Sequence, residues 1–431
     1  MSSPPVGITD QEYESTVSFL CSLERFGILL GLENITQLLE RIGNPQEKFP
    51  VVHVAGSNGK GSTASFINEI ARAAGMKTAL YTSPHLNDFR ERLRLDGDMV
   101  SKQALVTSTE KIRELYDPER TTFFEFTTAV AFDCIAHFHP DLAIVEVGLG
   151  GRLDATNTVR PCVTVITDIS REHEDYLGVG LKAVAREKAG IIKHKVPLIT
   201  GASRKDPRSV ILQAAAEAEA PVREFGKDFI GRRKGKCGFT YRSQHLLLED
   251  LVLSMPGSHQ IKNAALAVAV VEELMAQGYG ITETAVRRGI ELTKFPGRFE
   301  LLGREPDVII DGAHTLEGMR LLKSTITRLY PGVRPLMLLG MLRDKNYEAM
   351  VKIIAGIASE VVCVSPQGDR ALDPEELAAL VRRLGIPART ARPIREGFEI
   401  LRRKAGTKDV ILAAGSLYMI GPVRRASGIA D

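Results

Sequence analysis

Residues 51–67 read VVHVAGSNGKGSTASFI, and this order of residue types leaves few folds open. Val51 to Val54, apolar except for one histidine, lead into a glycine-rich turn. A lysine and two hydroxyl residues follow, and then a helical pattern begins. A strand that runs through a phosphate-cradling loop into a helix N-terminus has this form. Gly56, Gly59 and Gly61 let the backbone turn tightly and bring N–H groups toward phosphate oxygens. Lys60 supplies a mobile charge for the outer phosphates, and Ser62 and Thr63 offer hydroxyls for capping, phosphate or a metal. The spacing G-x-x-G-K-G-S departs from the common G-x-x-x-x-G-K-[ST], with a shorter gap between glycines and an extra glycine after the lysine. An ordinary strand-to-helix turn that binds nothing is the alternative. Strand, loop, lysine and helix start in the required order favour a nucleotide.

Short apolar runs alternate with helical stretches through most of the 431 residues. Strands are expected at 50–55, 78–82, 142–147, 162–167 and 196–200, then at 307–311, 335–340, 360–364 and 409–414. Helical patterns lie between them, at 62–74, 101–115, 125–137, 262–276, 316–329, 346–357 and 373–384. Continuous apolar strands separated by helices indicate parallel sheets covered on both faces, so the class is α/β with open, doubly wound sheets. Residues 225–255 alternate instead and are rich in turns, as in an antiparallel hairpin or meander. The segment KFPGRFELLG, with Pro296 and Gly297, interrupts the rhythm before it restarts. A domain boundary is expected there, giving a first domain over 1–297 and a smaller one over 298–431.

Composition excludes several classes. Hydrophobic content of 44%, charged content of 25% and a net charge of +3 describe an ordinary soluble globular protein without a nucleic-acid footprint. No apolar run approaches the ~20 residues that span a bilayer, so no membrane is expected. The N-terminus carries no readable signal peptide. Five scattered cysteines, none in a C-x-x-C pair, argue for a reducing, cytoplasmic setting and against a zinc site or disulfide framework.

Polar residues at the ends of the apolar strands are the candidates for chemistry, because ligands of open α/β sheets bind at the carboxyl ends of strands. Glu146 ends AIVE before a Gly-Leu-Gly-Gly turn, where it suits a Mg²⁺ ligand of the Walker-B kind; a pair with Arg152 is the alternative. His173 follows another strand, in a loop with Glu172, Glu174 and Asp175, where it reads equally as a metal ligand or as a surface or core histidine. Lys188 reads as a solvated lysine near a helix C-terminus, and Ser83 as a turn serine before Pro84. In the last domain DVIIDGAHTLEG repeats strand, turn and helix: Asp311 suits ribose hydroxyls or a helix cap, with His314 beside it. Arg298, at the boundary, suits ATP phosphates or an interdomain salt bridge. Arg232, Arg233, Lys234 and Lys236 form a basic turn that suits a polyanionic substrate tail but reads more simply as a solvated loop.

Taken together, LGLENITQLLERIGNP, AGSNGKGS, YTSPHLNDFRERLRLDG, FFEFTTAVAF, EVGLGGRLDATN, REKAGIIK, HQIKNAALA, FPGRFE, DGAHTLEG and AAGSLYMIG resemble the folylpolyglutamate synthase/dihydrofolate synthase branch of the Mur ligase family. These segments reach from about residue 25 to 421, and TSPHL with EVGLGGRLDATN is specific to the folate branch. The resemblance implies a P-loop domain of the Mur-ligase kind followed by a smaller Rossmann-like domain. It implies that Asn58, Gly59, Lys60, Gly61 and Ser62 hold ATP phosphates, with further ATP contacts from Asn263, Arg298, Asp311 and His314. Ser83, Glu146 and His173 match magnesium ligands, for two ions, and Lys188 matches a lysine that is carbamylated in the family. Leu30, Gly31 and Leu32, then Thr122, Phe123, Phe124 and Glu125, then Leu153, Asp154 and Ala155, look like the pterin pocket, with Phe124 suited to stack on the ring.

Three positions depart from the family pattern: Ser57 for threonine, Glu172 for aspartate before His173, and Thr315 for asparagine after His314. The implied activity is ATP-dependent amide formation between L-glutamate and a dihydropteroate or folate carboxylate, by a monomer. Lys60, Glu146, His173 and Lys188 would carry the catalysis. A Mur-type ligase for another carboxylate, and a nucleotide-switched module without catalysis, are the other readings.

Overall fold

The computed structural model describes residues 8–23 and 31–428. The chain forms two compact units. One comprises the described residues through His85, with Phe89–Leu253 and Gln260–Thr293; the other comprises Leu86–Asp88, Ser254–His259 and the chain from Lys294 onward. The second unit is thus discontinuous in sequence.

The first unit is built on an eight-stranded sheet of β1 (Val51–Ala55), β2 (Thr78–Tyr81), β3 (Leu93–Leu95), β4 (Asp98–Met99), β5 (Leu142–Glu146), β6 (Val163–Ile166), β7 (Leu198–Thr200) and β8 (Val222–Glu224), in the order β4-β3-β2-β5-β1-β6-β7-β8. Strands β2, β5, β1, β6, β7 and β8 run parallel, and β3 and β4 close one edge antiparallel. Every residue of β1, β5 and β6 is buried, as parallel strands covered on both faces require. The register sets Val54 beside Glu146 and Ala55 beside Ile166. The loops after β1, β5, β6 and β2 therefore leave the same edge of the sheet side by side.

Residues 229–252 form the antiparallel meander expected from their alternation: β9 (Phe229–Lys234), β10 (Gly238–Ser243) and β11 (Leu247–Val252). The basic turn lies at its tip, exposed, with Lys234 Nζ 2.7 Å from Asp250 Oδ1. The second unit carries β12 (Glu300–Gly303), β13 (Asp307–Asp311), β14 (Leu336–Leu339), β15 (Glu360–Cys363), β16 (Ala388–Thr390) and β17 (Val410–Ala414), in the order β12-β13-β17-β14-β15-β16, parallel except for β12.

Each expected strand is present within two residues of its expected ends. Five others were not expected: β3, β4, β8, β12 and β16, of two to four residues and all at or near sheet edges. Half-exposed edges need no continuous apolar run, which is the signal that identified the rest. Several helices were also unexpected, among them Asp10–Ser22, Glu33–Arg41, Lys205–Glu217, Glu283–Leu292, Ile394–Lys404 and Leu417–Ala426. They bury narrow stripes within polar sequences; Ile394–Lys404 buries only Ile394, Gly397, Phe398 and Leu401.

The helix that follows the glycine loop, Lys60–Ala73, is clamped from outside by Glu283–Leu292. A Cβ on buried Gly289 would lie 2.4 Å from Ile70 Cα, a backbone atom that cannot swing away. Gly289→Ala should separate the two helices and cost about 1–3 kcal/mol, since overpacking forces backbone shifts. Thermal unfolding should show a midpoint lowered by several degrees; an unchanged midpoint would mean that the contact is loose.

Candidate functional site

The glycine loop is held by crowding as much as by conformation. Gly56 has φ +147° and Gly59 has φ +84°; a Cβ at Gly56 would lie 1.9 Å from Thr167 Oγ1, and one at Gly59 would lie 2.4 Å from Asn263 Oδ1. Thr167 Oγ1 donates to Asn58 O at 2.7 Å, Ser57 N donates to Asp168 O at 2.8 Å, and Asn58 Nδ2 donates to Ser170 Oγ at 3.1 Å. Ser57 keeps the hydroxyl of the family threonine, and that hydroxyl accepts from Ser170 N at 3.0 Å. From the helix Ser258–Ala276, Asn263 Nδ2 donates to Gln260 Oε1 at 3.0 Å, and Gln260 Nε2 donates to Ser62 Oγ at 3.3 Å. Thr167, Ser170 and Gln260 were not singled out from the sequence, although the TDIS run follows a neighbouring strand end and Gln260 lies in the quoted HQIKN segment.

Gly59 caps the helix without a side-chain hydrogen bond, and the first helical bond runs from Thr63 N to Gly59 O at 2.9 Å. The amides of the first turn are the donors that an anion satisfies at a helix N-terminus. Lys60 Nζ and Lys188 Nζ each donate to Gly56 O at 2.9 Å. Lys188, on the helix Leu181–Ala189, is 1% exposed, which overturns the solvated reading of this lysine. Its Nζ lies 2.7 Å from Glu172 Oε1. Burial pushes the Lys188 amine down to about 8, helped by the Lys60 charge and opposed by Glu172. Burial works to raise Glu172, but Lys188 and Lys60 outweigh it and hold the carboxyl below its ordinary value. The carboxylate at 172, a glutamate here, is thus the counter-ion of Lys188.

Glu146 is the last residue of β5, 5% exposed, and Ser83 N donates to its Oε2 at 3.2 Å. Arg152 does not take the alternative role proposed for it: its Nη2 binds Glu187 Oε1 at 2.8 Å. The structure brings Ser83, Glu146, Lys60, Lys188 and the glycine loop to one sheet edge. His173 stands farther along the loop after β6, exposed, at φ +47° as the cap of the one-turn helix Glu174–Leu177. Among the described residues no three His, Cys, Asp or Glu side chains are grouped to hold a metal by themselves.

Of the segments matched to a pterin pocket, Phe124 packs against Gly148, and Asp154 accepts from Leu149 N beside it. Leu30 lies outside the described residues; Gly31 and Leu32 lead into Glu33–Arg41. A Cβ on Gly148 would lie 2.4 Å from Phe124 Cζ, and Phe124 faces Tyr81 with ring centroids 6.5 Å apart and planes 24° apart. Phe123 stands edge-on to Phe89, with the Arg92 guanidinium 5.2 Å from its ring centre. Thr122 and Glu125 form a capping box on Phe123–Phe138: Thr122 N and Oγ1 both donate to Glu125 Oε2 at 2.8 Å, and Glu125 N donates back to Thr122 Oγ1 at 3.3 Å. The T-x-x-E signature of this box is legible in the sequence. Burial raises the Glu125 carboxyl, and the Thr122 donors oppose it.

Asp154 sits between Leu153 and the buried Ala155. Leu149 N donates to its Oδ2 at 2.8 Å, and Thr156 N and Oγ1 donate to its Oδ1. Thr156 Oγ1 is also 2.9 Å from Nε2 of His53, a fully buried residue of β1 that sequence reasoning passed over.

In the second unit Arg298, Asp311 and His314 surround Gly312. Asp311 accepts from Ala313 N at 2.8 Å and Phe299 N at 2.9 Å, and His314 Nδ1 lies 2.7 Å from Gly312 O. A Cβ on Gly312 would lie 3.1 Å from Arg298 Nη1. Burial raises the Asp311 carboxyl against the pull of Arg298. Asp311 is not the helix cap; Thr315 is, accepting from Gly318 N at 3.1 Å, so the departure at 315 serves the helix Leu316–Leu329.

Fold and site together define a Mur-type ligase. Residues 54–271 match the Mur ligase middle domain, and residues 297–417 match the Mur ligase glutamate ligase domain. The dihydrofolate synthase/folylpolyglutamate synthase of Bacillus subtilis is 32% identical over 96% of this chain and 98% of its own length. The chain spans about half the length of a Haloferax volcanii relative, 33% identical over 96% of this chain, named a probable bifunctional folylpolyglutamate synthase/dihydropteroate synthase. Among solved structures, Escherichia coli FolC with DHPP and ADP superposes with a TM-score of 0.86 at 32% identity, covering 95% of this chain and 97% of that one. The bifunctional Yersinia pestis enzyme with AMPPNP and a Mn ion gives a TM-score of 0.86 at 29% identity, covering 96% and 98%. This chain belongs to the folylpolyglutamate synthase/dihydrofolate synthase family.

Burial drives His53 down to about 3, with the Lys193 charge adding to the effect. In the unfolded chain the same imidazole protonates near 6.5. Between these values the unfolded state binds one proton more, so stability falls as pH drops, by about 1.4 kcal/mol per pH unit from this group. Thermal melts between pH 6 and pH 4 should show a steeper loss for the wild type than for His53→Gln; equal slopes would contradict a buried neutral imidazole.

Proposed function

We propose that this chain joins L-glutamate to a folate-type carboxylate, dihydropteroate or a folyl-glutamate, at the expense of ATP and through an acyl phosphate. The observation that carries this reading is the convergence of helix N-terminal amides, Lys60, Ser83 and Glu146 at one sheet edge, with the Phe124 ring packed against Gly148 in the loop that follows Glu146. A carboxylate cannot acylate an amine directly, because it would have to expel oxide. In the proposed sequence a carboxylate oxygen attacks the γ-phosphorus of ATP and ADP departs. The glutamate amine then attacks the carbonyl carbon, phosphate leaves with the bridging oxygen, and the amine loses its proton.

The loop amides and Lys60 hold the phosphates and stabilise the charge of the transferring phosphoryl group. A divalent ion, for which the buried Glu146 carboxylate and the Ser83 hydroxyl are hard oxygen donors suited to magnesium, adds neutralisation of that charge when bound. A second ion would draw on His173 and on Lys188 as a carbamate. Forming that carbamate joins the neutral amine to CO₂ and releases a proton. Two features support it: the amine's pKa is lowered to about 8 by burial, and Lys60 stands on the same carbonyl to balance an anion. In the second unit, Arg298, Asp311 and His314 are assigned to the nucleotide. We place the protein in the cytoplasm as a monomer; its five cysteines are free thiols.

Incubation with ATP, glutamate and either dihydropteroate or tetrahydrofolate should release ADP only when a folate-type carboxylate is present, with product mass raised by one glutamate residue. Lys60→Ala should lower turnover by about 10²–10³-fold, as loss of a transition-state charge partner does. Glu146→Gln should raise the magnesium concentration needed for half-maximal rate. Turnover of Lys60→Ala near the wild-type rate would remove the assignment.

A further inference from the structure

We infer that His53 is a positioning residue for the ring of the pterin-type substrate, acting through Thr156 on Asp154 and the loop from Gly148 to Asp154. The inference rests on the reading of that pocket given above. Its basis is a chain of polar contacts from the middle of β1 to the short helix Ala155–Thr158 and its cap Asp154. Asp154 receives Leu149 N, Thr156 N and Thr156 Oγ1, a set of donors that suits an acceptor-only carboxylate. The single proton of the Thr156 hydroxyl is therefore spent on Asp154. The contact of that hydroxyl with His53 Nε2, at 2.9 Å, then needs the proton on Nε2. This leaves Nδ1 as a bare acceptor, and Nδ1 has no hydrogen-bond partner although it is wholly buried.

A buried polar atom left unpaired costs free energy, so the imidazole stands at this position against a penalty. What it supplies is a donor that fixes the rotamer of Thr156. With that rotamer fixed, Asp154 keeps both oxygens turned inward, one on Thr156 and one on Leu149 N. The bond to Leu149 N pulls the loop back on itself directly beside Gly148, the residue against which Phe124 packs. The phosphate loop begins at Gly56, three residues after His53 and just past the end of the same strand, yet none of the loop's bonds described above passes through this imidazole. The consequence is separable: loss of the donor should loosen the ring pocket and leave the nucleotide loop intact.

The test compares His53→Leu, which removes the donor, with His53→Gln, which keeps an N–H donor at similar reach, and with Thr156→Val, which removes the hydroxyl. Initial rates give KM for dihydropteroate, KM for ATP and kcat, and calorimetry gives dihydropteroate affinity in the presence of ADP. The expected result for His53→Leu is a roughly 10-fold rise in KM and Kd for dihydropteroate, with ATP KM and kcat within about two-fold of wild type. Gln should restore most of the loss. Thr156→Val should match Leu, and the double variant should lose no more than either single one. Wild-type dihydropteroate affinity in both single variants would overturn the inference, as would parallel losses for ATP and dihydropteroate or failure of Gln to rescue. If His53→Leu does not fold, Thr156→Val alone decides on the same readings. A wild-type enzyme that neither binds dihydropteroate nor turns it over would instead remove the pocket reading itself, and this inference with it.

Discussion

The carbonyl oxygen of Gly56 receives two ammonium groups, Lys60 and Lys188, each at 2.9 Å, and the site is organised around that convergence. Two like charges share one acceptor, Lys188 buried and Lys60 half-buried, with Glu172 as the compensating anion at 2.7 Å from Lys188. The two ammonium groups and the open helix amides beside them concentrate hydrogen-bond donors in one place, as the binding of a polyanion requires. Everything that fixes the position of Gly56 therefore matters to function: the φ of +147°, the Thr167 side chain that leaves no room for a Cβ, and the parallel register that sets β1 between β5 and β6.

From this follows the division of labour between residues that meet ligands and residues that hold them. Lys60, Ser83 and Glu146 face the sheet edge where phosphates and metal are assigned. Thr167, Ser170 and Gln260 do not need to touch a ligand to matter; they bind the loop's own carbonyl, amide and hydroxyl groups. A loop that is already closed on such partners loses little entropy when it takes up a nucleotide. The same logic applies at the proposed ring pocket, where the capping box of Thr122 and Glu125 and the bonds of Asp154 fix the backbone around Phe124.

Much of this was legible in the residues. The glycine loop, the buried parallel strands and the meander at 229–252 each follow from a local pattern that the fold obeys. What escaped reading had no local pattern. Lys188 reads as a surface lysine because a charge on a helix of modest amphipathicity is normally solvated; only the tertiary structure brings it under Gly56, 132 positions earlier. His53 is one polar residue in an apolar strand, and its partner Thr156 is 103 positions away. The short edge strands β3, β4 and β16 lack the continuous apolar run that marked their central neighbours. Glu125 is the opposite case, since its T-x-x-E capping signature is local and the capping box it announces is present.

The central claim is that this loop transfers a phosphoryl group to a carboxylate oxygen before any amide forms. Turnover with substrate whose reacting carboxylate is labelled with ¹⁸O measures this directly, with mass analysis of the released phosphate. The account predicts one ¹⁸O atom carried into each phosphate formed from a labelled oxygen. Phosphate free of label, with all ¹⁸O retained in the amide or lost to water, would contradict it.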